Sequence, residues 1–197
     1  MEYYKELKMS REELLVKIQS MVKASRFQHM LAVEKVAGEL AERFSADIYQ
    51  ARLAGLLHDY AKELSFMEFE GLIDRHHLDE SLKSWGNEIL HGKVGYLKIQ
   101  EDLGLENQEI LQAIERHTTG HAEMTVLDKI VYVADYIEKG RNFPQVDKAR
   151  ELAAVSLDKA LAFKTMRTME YLIAKKEPIY PQTLETYNTY IKFLKEK

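Results

Sequence analysis

Apolar residues recur at spacings of three and four along nearly the whole chain, and only three prolines and nine glycines interrupt them. That period matches the 3.6-residue turn of an α-helix, and no run alternates for long enough to suggest a sheet. Ser10-x-x-Glu13 and Ser65-x-x-Glu68 have the form of capping boxes, in which a hydroxyl and a carboxylate satisfy the free amides of a first helical turn. Ser25-x-x-Gln28 has a similar form. Further helices are expected over 47–63, 66–76, 87–102, 107–117, 125–138, 147–175 (interrupted near Ser156) and 181–196, with Gly104, Gly120 and Gly140 at stops. The expected fold is an all-α bundle forming one domain over 1–197. Within it a core spans about 20–140 and a C-terminal helical lobe about 141–197.

Charge and composition remove several classes of function. A net charge of −4 argues against nucleic acid as a partner. No apolar stretch approaches the roughly 20 residues needed to cross a bilayer, so no membrane partner is expected. Met1 to Glu6 lacks the basic start and apolar run of a leader. Zero cysteines leave no disulfide framework or thiolate chemistry, which fits a cytoplasmic setting.

The informative residues are polar ones set into apolar helical faces. His29 shares a helix edge with Val33, Val36 and Leu40; His58-Asp59 follows Leu53-Ala54-Gly55-Leu56-Leu57. His91 lies in Ile89-Leu90-His91-Gly92, His117 ends Ile110 to Arg116, and Asp135 interrupts Ile130-Val131-Tyr132-Val133-Ala134. An unpaired charge buried in such a face is costly. Each residue alone has an ordinary packing explanation. Taken together, four imidazoles and two carboxylates are better explained by one metal-lined cavity. Such donors suit iron, manganese, cobalt, nickel or zinc, and the lack of thiolates removes the usual closed zinc site. Lys62, one turn after His58, and Arg26, one turn before His29, can reach the same cavity. His76-His77 and His121 stand in polar surroundings and are set aside, while Tyr132 and Tyr136 are read as core.

In order and flanks these residues resemble the HD-domain superfamily of metal-dependent phosphohydrolases, and more narrowly the bacterial YqeK family of symmetrical diadenosine tetraphosphate hydrolases. The matching stretches are Arg26-Phe27-Gln28-His29, Leu56 to Lys62, His117-Thr118-Thr119-Gly120, Ala134 to Glu138, Arg141 and Pro178 to Thr183. Lys139 departs from the family, which often has proline there. The resemblance implies that His29, His58, Asp59 and Asp135 hold one metal. Iron comes first, with manganese, cobalt or nickel as alternatives.

For His91 and His117 two roles stay open, a second ion bridged by Asp59 or direct contact with phosphate, the latter favoured. Catalytic parts are implied for Asp59, Lys62, His91 and His117. Contacts to a dinucleoside polyphosphate or an ADP-like nucleotide are implied for those four and for Arg26, Tyr60, Ala61, Thr118, Asp135 and Arg141. They extend to Pro178, Ile179, Tyr180, Pro181, Gln182 and Thr183, a segment that reads equally well as a rigid turn. The implied reaction is hydrolysis to two ADP. Another HD phosphohydrolase activity on a different nucleotide is the alternative, then a non-catalytic nucleotide sensor. A homodimer is compatible with the sequence but not derivable from it.

Overall fold

The computed structural model describes residues 3–195. Among them are eleven α-helices and one short antiparallel pair, β1 (Tyr3–Tyr4) with β2 (Met9–Ser10). The helices are α1 (Arg11–Met21), α2 (Ala24–Arg43), α3 (Ile48–Leu57), α4 (Phe66–Arg75), α5 (Asn87–Lys93) and α6 (Gly95–Leu103). They continue as α7 (Gln108–Arg116), α8 (Val126–Ile137), α9 (Val146–Ala153), α10 (Leu157–Lys175) and α11 (Pro181–Tyr190). No described helix is long and apolar enough to cross a membrane.

Local sequence explains most of the boundaries. Ser10 and Ser65 form the expected capping boxes with Glu13 and Glu68, and Thr125 forms a third with Asp128. Ser156 caps α10, which makes the expected interruption. Gly104 closes α6 with φ of +66°, a conformation open to glycine at little cost.

Five expectations are corrected. The helix expected to start at Ser25 begins at Ala24 with Lys23 at its cap, because the backbone already turns helical before Ser25 can serve. The helix expected over 47–63 stops at Leu57; the Tyr60 and Lys62 amides then donate to the Leu57 and Asp59 carbonyls, each three residues back, as a turn does. The 87–102 helix breaks at Val94, whose φ of −123° leaves the helical region. Gly140 follows α8 by three residues and its amide binds the Glu138 carboxylate, so it terminates no helix. The last helix becomes a 3-10 turn over Ile191–Leu194, and its expected end at 196 lies outside the described residues, as do Met1 and Glu2.

The core is built around α2, α3 and α8. Leu53, Leu56 and Leu57 of α3 and Ile130, Val131 and Val133 of α8 are buried against Met30, Val33 and Ala37 of α2. Gly55 sets the closeness of the α2–α3 crossing. A Cβ there would stand 3.0 Å from Ala37 Cβ and 3.2 Å from the Val33 carbonyl oxygen. Across the expected boundary near residue 140, α9 and α10 add Ala149, Leu157, Leu161 and Phe163 to the same core. A smaller cluster under α4 to α6 joins Phe69, Leu72, Ile73, Leu90 and Leu97.

Candidate metal centre

Each imidazole of the expected set is held from behind. His58, just past α3, has Nδ1 2.8 Å from the Gly55 carbonyl oxygen, and His117, just past α7, has Nδ1 2.6 Å from that of Ile114. His91 Nδ1 lies 2.6 Å from the Asn87 carbonyl oxygen and 3.2 Å from Lys62 Nζ; the shorter contact identifies it as the donor. A carbonyl oxygen only accepts, so these Nδ1 atoms carry hydrogen and turn Nε2 inward. His29 is oriented by a carboxylate, with Nδ1 3.2 Å from Glu138 Oε1.

The four Nε2 atoms converge on Asp59 from two sides. Asp59 Oδ2 lies 3.3 Å from His58 Nε2 and 3.7 Å from His29 Nε2; those two nitrogens are 3.2 Å apart. Asp135 Oδ1 completes this half, 3.2 Å from His29 Nε2 and 3.9 Å from His58 Nε2. On the other side, Asp59 Oδ1 is 3.3 Å from His91 Nε2 and 3.7 Å from His117 Nε2, with the two rings' nitrogens 3.1 Å apart. Donor atoms about 3–3.5 Å apart are what metal bonds of about 2.0–2.2 Å produce.

Electrostatics support a cation between these groups. Burial pushes the His117 imidazole down to about 4, so its Nε2 presents a lone pair at neutral pH, facing both a carboxylate oxygen and a second imidazole nitrogen. Such crowding of acceptors is relieved by an ion. Burial alone would push both carboxyls up. The His58 imidazole beside it instead holds Asp59 well below the usual carboxylate range, and Lys164, with His29, does the same for Asp135. The donors are nitrogen and oxygen alone, a set that fits a divalent transition metal. The His29-His58-Asp59 and Asp59-His91-His117 groups each gather within ion-binding reach.

Cations of the chain crowd the same carboxylates. Arg26 Nη1 donates to Asp59 Oδ2 at 2.7 Å, and Arg141 Nη2 donates to Asp135 Oδ1 at 2.6 Å. A cavity of about 410 Å³ lined by Arg26, His29 and Arg141 opens at this point. Lys62 approaches from the His91 side and pairs with Glu88 at 2.9 Å.

Other expected residues sit differently. Tyr60 turns away and donates to Asp102 Oδ2 at 3.0 Å, while Ala61 is buried in the smaller cluster. The hydroxyl oxygen of Thr118 is buried, with no hydrogen-bond partner among the described residues, on the side where Gly92 has no Cβ. Pro178 to Tyr180 lead into α11, where Pro181 takes the first position and Thr183 is buried. Gln182 Oε1 accepts from Lys93 Nζ and Thr119 Oγ1, both at 3.1 Å, which sets this segment on the His91–His117 side. Tyr180 packs edge-on to Trp85 with ring centroids 4.9 Å apart. His76 pairs with Glu101 on the surface and His121 binds the Glu123 backbone, so neither enters the centre.

Two contributors escaped the sequence reading. Glu138 is buried and grips His29 with one oxygen and the Gly140 amide with the other. Lys164 is buried in α10, donates to the carbonyls of Tyr132 at 2.6 Å and His117 at 3.2 Å, and lies 3.4 Å from Asp135 Oδ2. Burial lowers its ammonium to about 8. A signal for it was present: Lys164 interrupts Leu161-Ala162-Phe163 as Asp135 interrupts its own apolar run.

The HD domain family matches residues 26–140. The symmetrical bis(5'-nucleosyl)-tetraphosphatase of Bacillus subtilis is 41% identical over 180 residues, covering 91% of this chain and 97% of that protein. The enzyme of the same description from Halalkalibacterium halodurans is 38% identical, covering 91% and 96%. The crystal structure of a predicted HD superfamily hydrolase involved in NAD metabolism from Clostridium acetobutylicum superposes with a TM-score of 0.88 at 33% identity, covering 93% of this chain and 98% of that one. With the ordered His and Asp residues gathered around one carboxylate, these matches place the chain: it belongs to the HD-domain family and, within it, to the symmetrical bis(5'-nucleosyl)-tetraphosphatases.

Proposed function

We propose that this chain is a metal-dependent hydrolase that cleaves diadenosine tetraphosphate at its central anhydride, adding one water to give two ADP. The observation that carries this reading is the division of Asp59, whose Oδ2 faces His29 and His58 while Oδ1 faces His91 and His117. One carboxylate thereby organises a centre long enough to span neighbouring phosphates.

His29, His58, Asp59 and Asp135 are the residues proposed to hold the ion, and iron is the metal proposed. When bound, such an ion supplies Lewis acidity, lowering the pKa of water and withdrawing charge from a phosphoryl group. The chain's own part is to position and to neutralise. A guanidinium has five donors in a planar fork, and Asp59 takes one from Arg26, which leaves others for phosphate oxygens. Arg141 is placed likewise beside Asp135, and Lys62 beside His91. These three cations meet the negative charge that grows on the departing diphosphate. His91 and His117 are proposed to contact phosphate, with capacity for a second ion.

One nucleoside is proposed to lie along Pro178 to Thr183, with Trp85 and Tyr180 as its aromatic neighbours. A cytoplasmic setting is proposed from the absence of cysteine in the sequence. Incubation of iron-loaded protein with diadenosine tetraphosphate, followed by separation of the nucleotides, tests the reading. ADP is expected as the sole product. AMP plus ATP, or no turnover beside an active control, defeats it.

A further inference from the structure

A symmetrical cut requires equal nucleoside diphosphate arms on both sides of the bond that breaks. The Pro178–Thr183 segment serves only the His91–His117 side, through Gln182 and its contacts to Lys93 and Thr119. The His29–Asp135 side has a cleft of its own. About 870 Å³ lies between α10 and the loop after α8, walled by Tyr136, Phe143 and Tyr171 and edged by Arg141 and Arg167. The rings of Tyr136 and Phe143 meet edge-on with centroids 4.8 Å apart, and Tyr171 is 61% exposed although aromatic.

The cleft is continuous with the metal centre. Arg141 lines it, lines the smaller cavity at His29, and lies 2.6 Å from Asp135 Oδ1. Helix α10 makes the second connection. Lys164 faces Asp135, and Arg167, Thr168 and Tyr171 follow at three, four and seven residues, on the face that lines the cleft. Seven residues carry the helix about 10 Å outward from the centre. Cations close to the centre and aromatic rings beyond them match the order of a nucleoside diphosphate, phosphates first and base last.

We propose that this cleft is the second nucleoside subsite, taking the arm that lies across the scissile bond from the Pro178–Thr183 segment. Its base packs against Tyr136, Phe143 and Tyr171, and its phosphates lie toward Arg141 and Arg167. The assignment rests on the dinucleoside polyphosphate reading given above.

Tyr171→Ala and Arg167→Ala test it, with unchanged metal content and circular dichroism as controls on folding. Loss of one base–aromatic stack should raise KM for diadenosine tetraphosphate about tenfold in Tyr171→Ala, and Tyr171→Trp should restore it. Calorimetric titration with ADP should find two molecules per wild-type chain and one in Tyr171→Ala, with affinity at the retained site within twofold. One ADP per wild-type chain, or wild-type KM and stoichiometry in both variants, overturns the subsite. Absence of turnover by wild-type protein that still binds two ADP, one of them lost in Tyr171→Ala, sinks the substrate reading alone and supports the cleft.

Discussion

Lys164 Nζ lies 3.4 Å from Asp135 Oδ2, on a side chain only 6% exposed. The same ammonium binds the main-chain carbonyls of Tyr132 and His117, joining Asp135 of α8 to the turn that carries an imidazole of the other half. Lys164→Met leaves these acceptors without their donor. A loss of about 1–3 kcal/mol in unfolding free energy is expected for the metal-free protein. An added ion restores a cation to Asp135, so metal should stabilise the variant more than wild type. Urea unfolding with and without metal measures both; an equal deficit in the two states removes the electrostatic role.

Glu138 orients His29 as the backbone carbonyls orient the other three imidazoles, but with a full negative charge. A carboxylate behind a ligand imidazole fixes the ring and raises its basicity. Glu138→Gln keeps the shape and removes the charge, and metal affinity should fall about 10–100-fold. Competition against a chromophoric chelator reads this directly, and an affinity within twofold of wild type rules it out.

How far the sequence alone reaches is visible in these same residues. The helices were legible because apolar spacing and Ser–Glu boxes act locally, within one turn. His29, His58, Asp59, His91, His117 and Asp135 were legible because polar groups in apolar faces need a partner, and the structure brings all six together. Lys164 carried the same signal after Leu161-Ala162-Phe163, but the long apolar stem of a lysine can also lie along a helix face and carry its charge to solvent, so its burial against Asp135 shows only in the fold. The aromatic cleft was hidden because Tyr136 follows a buried run and reads as core, while its neighbours Phe143 and Tyr171 meet it only in three dimensions. The end of α3 was missed for a related reason. Nothing in His58-Asp59-Tyr60-Ala61-Lys62 forbids a helix, and the turn there is imposed by packing onto α6, where Tyr60 finds Asp102.

The Ser65–Glu68 box predicts a signature on the acid side of the stability profile. The Ser65 backbone amide and then its hydroxyl, each 2.8 Å from Glu68 Oε2, hold that carboxyl below its ordinary value of 4.5. A carboxyl depressed on folding contributes stability above its unfolded pKa, and the contribution is lost as pH falls through the folded value. Glu68→Gln retains an acceptor but no titration. The stability difference between wild type and variant should therefore be level near neutrality and shrink once pH drops below 4.5. Urea midpoints across that range check it, and a difference that stays constant excludes the charged form as the source.

Asp59 and Lys62 are three residues apart and predict separable failures. Asp59 is the only carboxylate among the described residues with an oxygen toward each imidazole pair, so Asp59→Ala dismantles both halves at once. Bound metal and turnover should disappear together. Asp135→Ala withdraws one donor from the His29–His58 half and should also lower both. Lys62 touches no atom of that half; its ammonium stands beside His91 and Glu88. Lys62→Ala should therefore keep its metal while turnover falls on the order of 10²-fold, as expected when one preorganised donor to a developing anion is removed. Elemental analysis of each purified variant, set against its rate with diadenosine tetraphosphate, separates the two patterns. Full metal and full rate in Asp59→Ala would dispose of the centre, and metal loss in Lys62→Ala would move that lysine from substrate to ligand support.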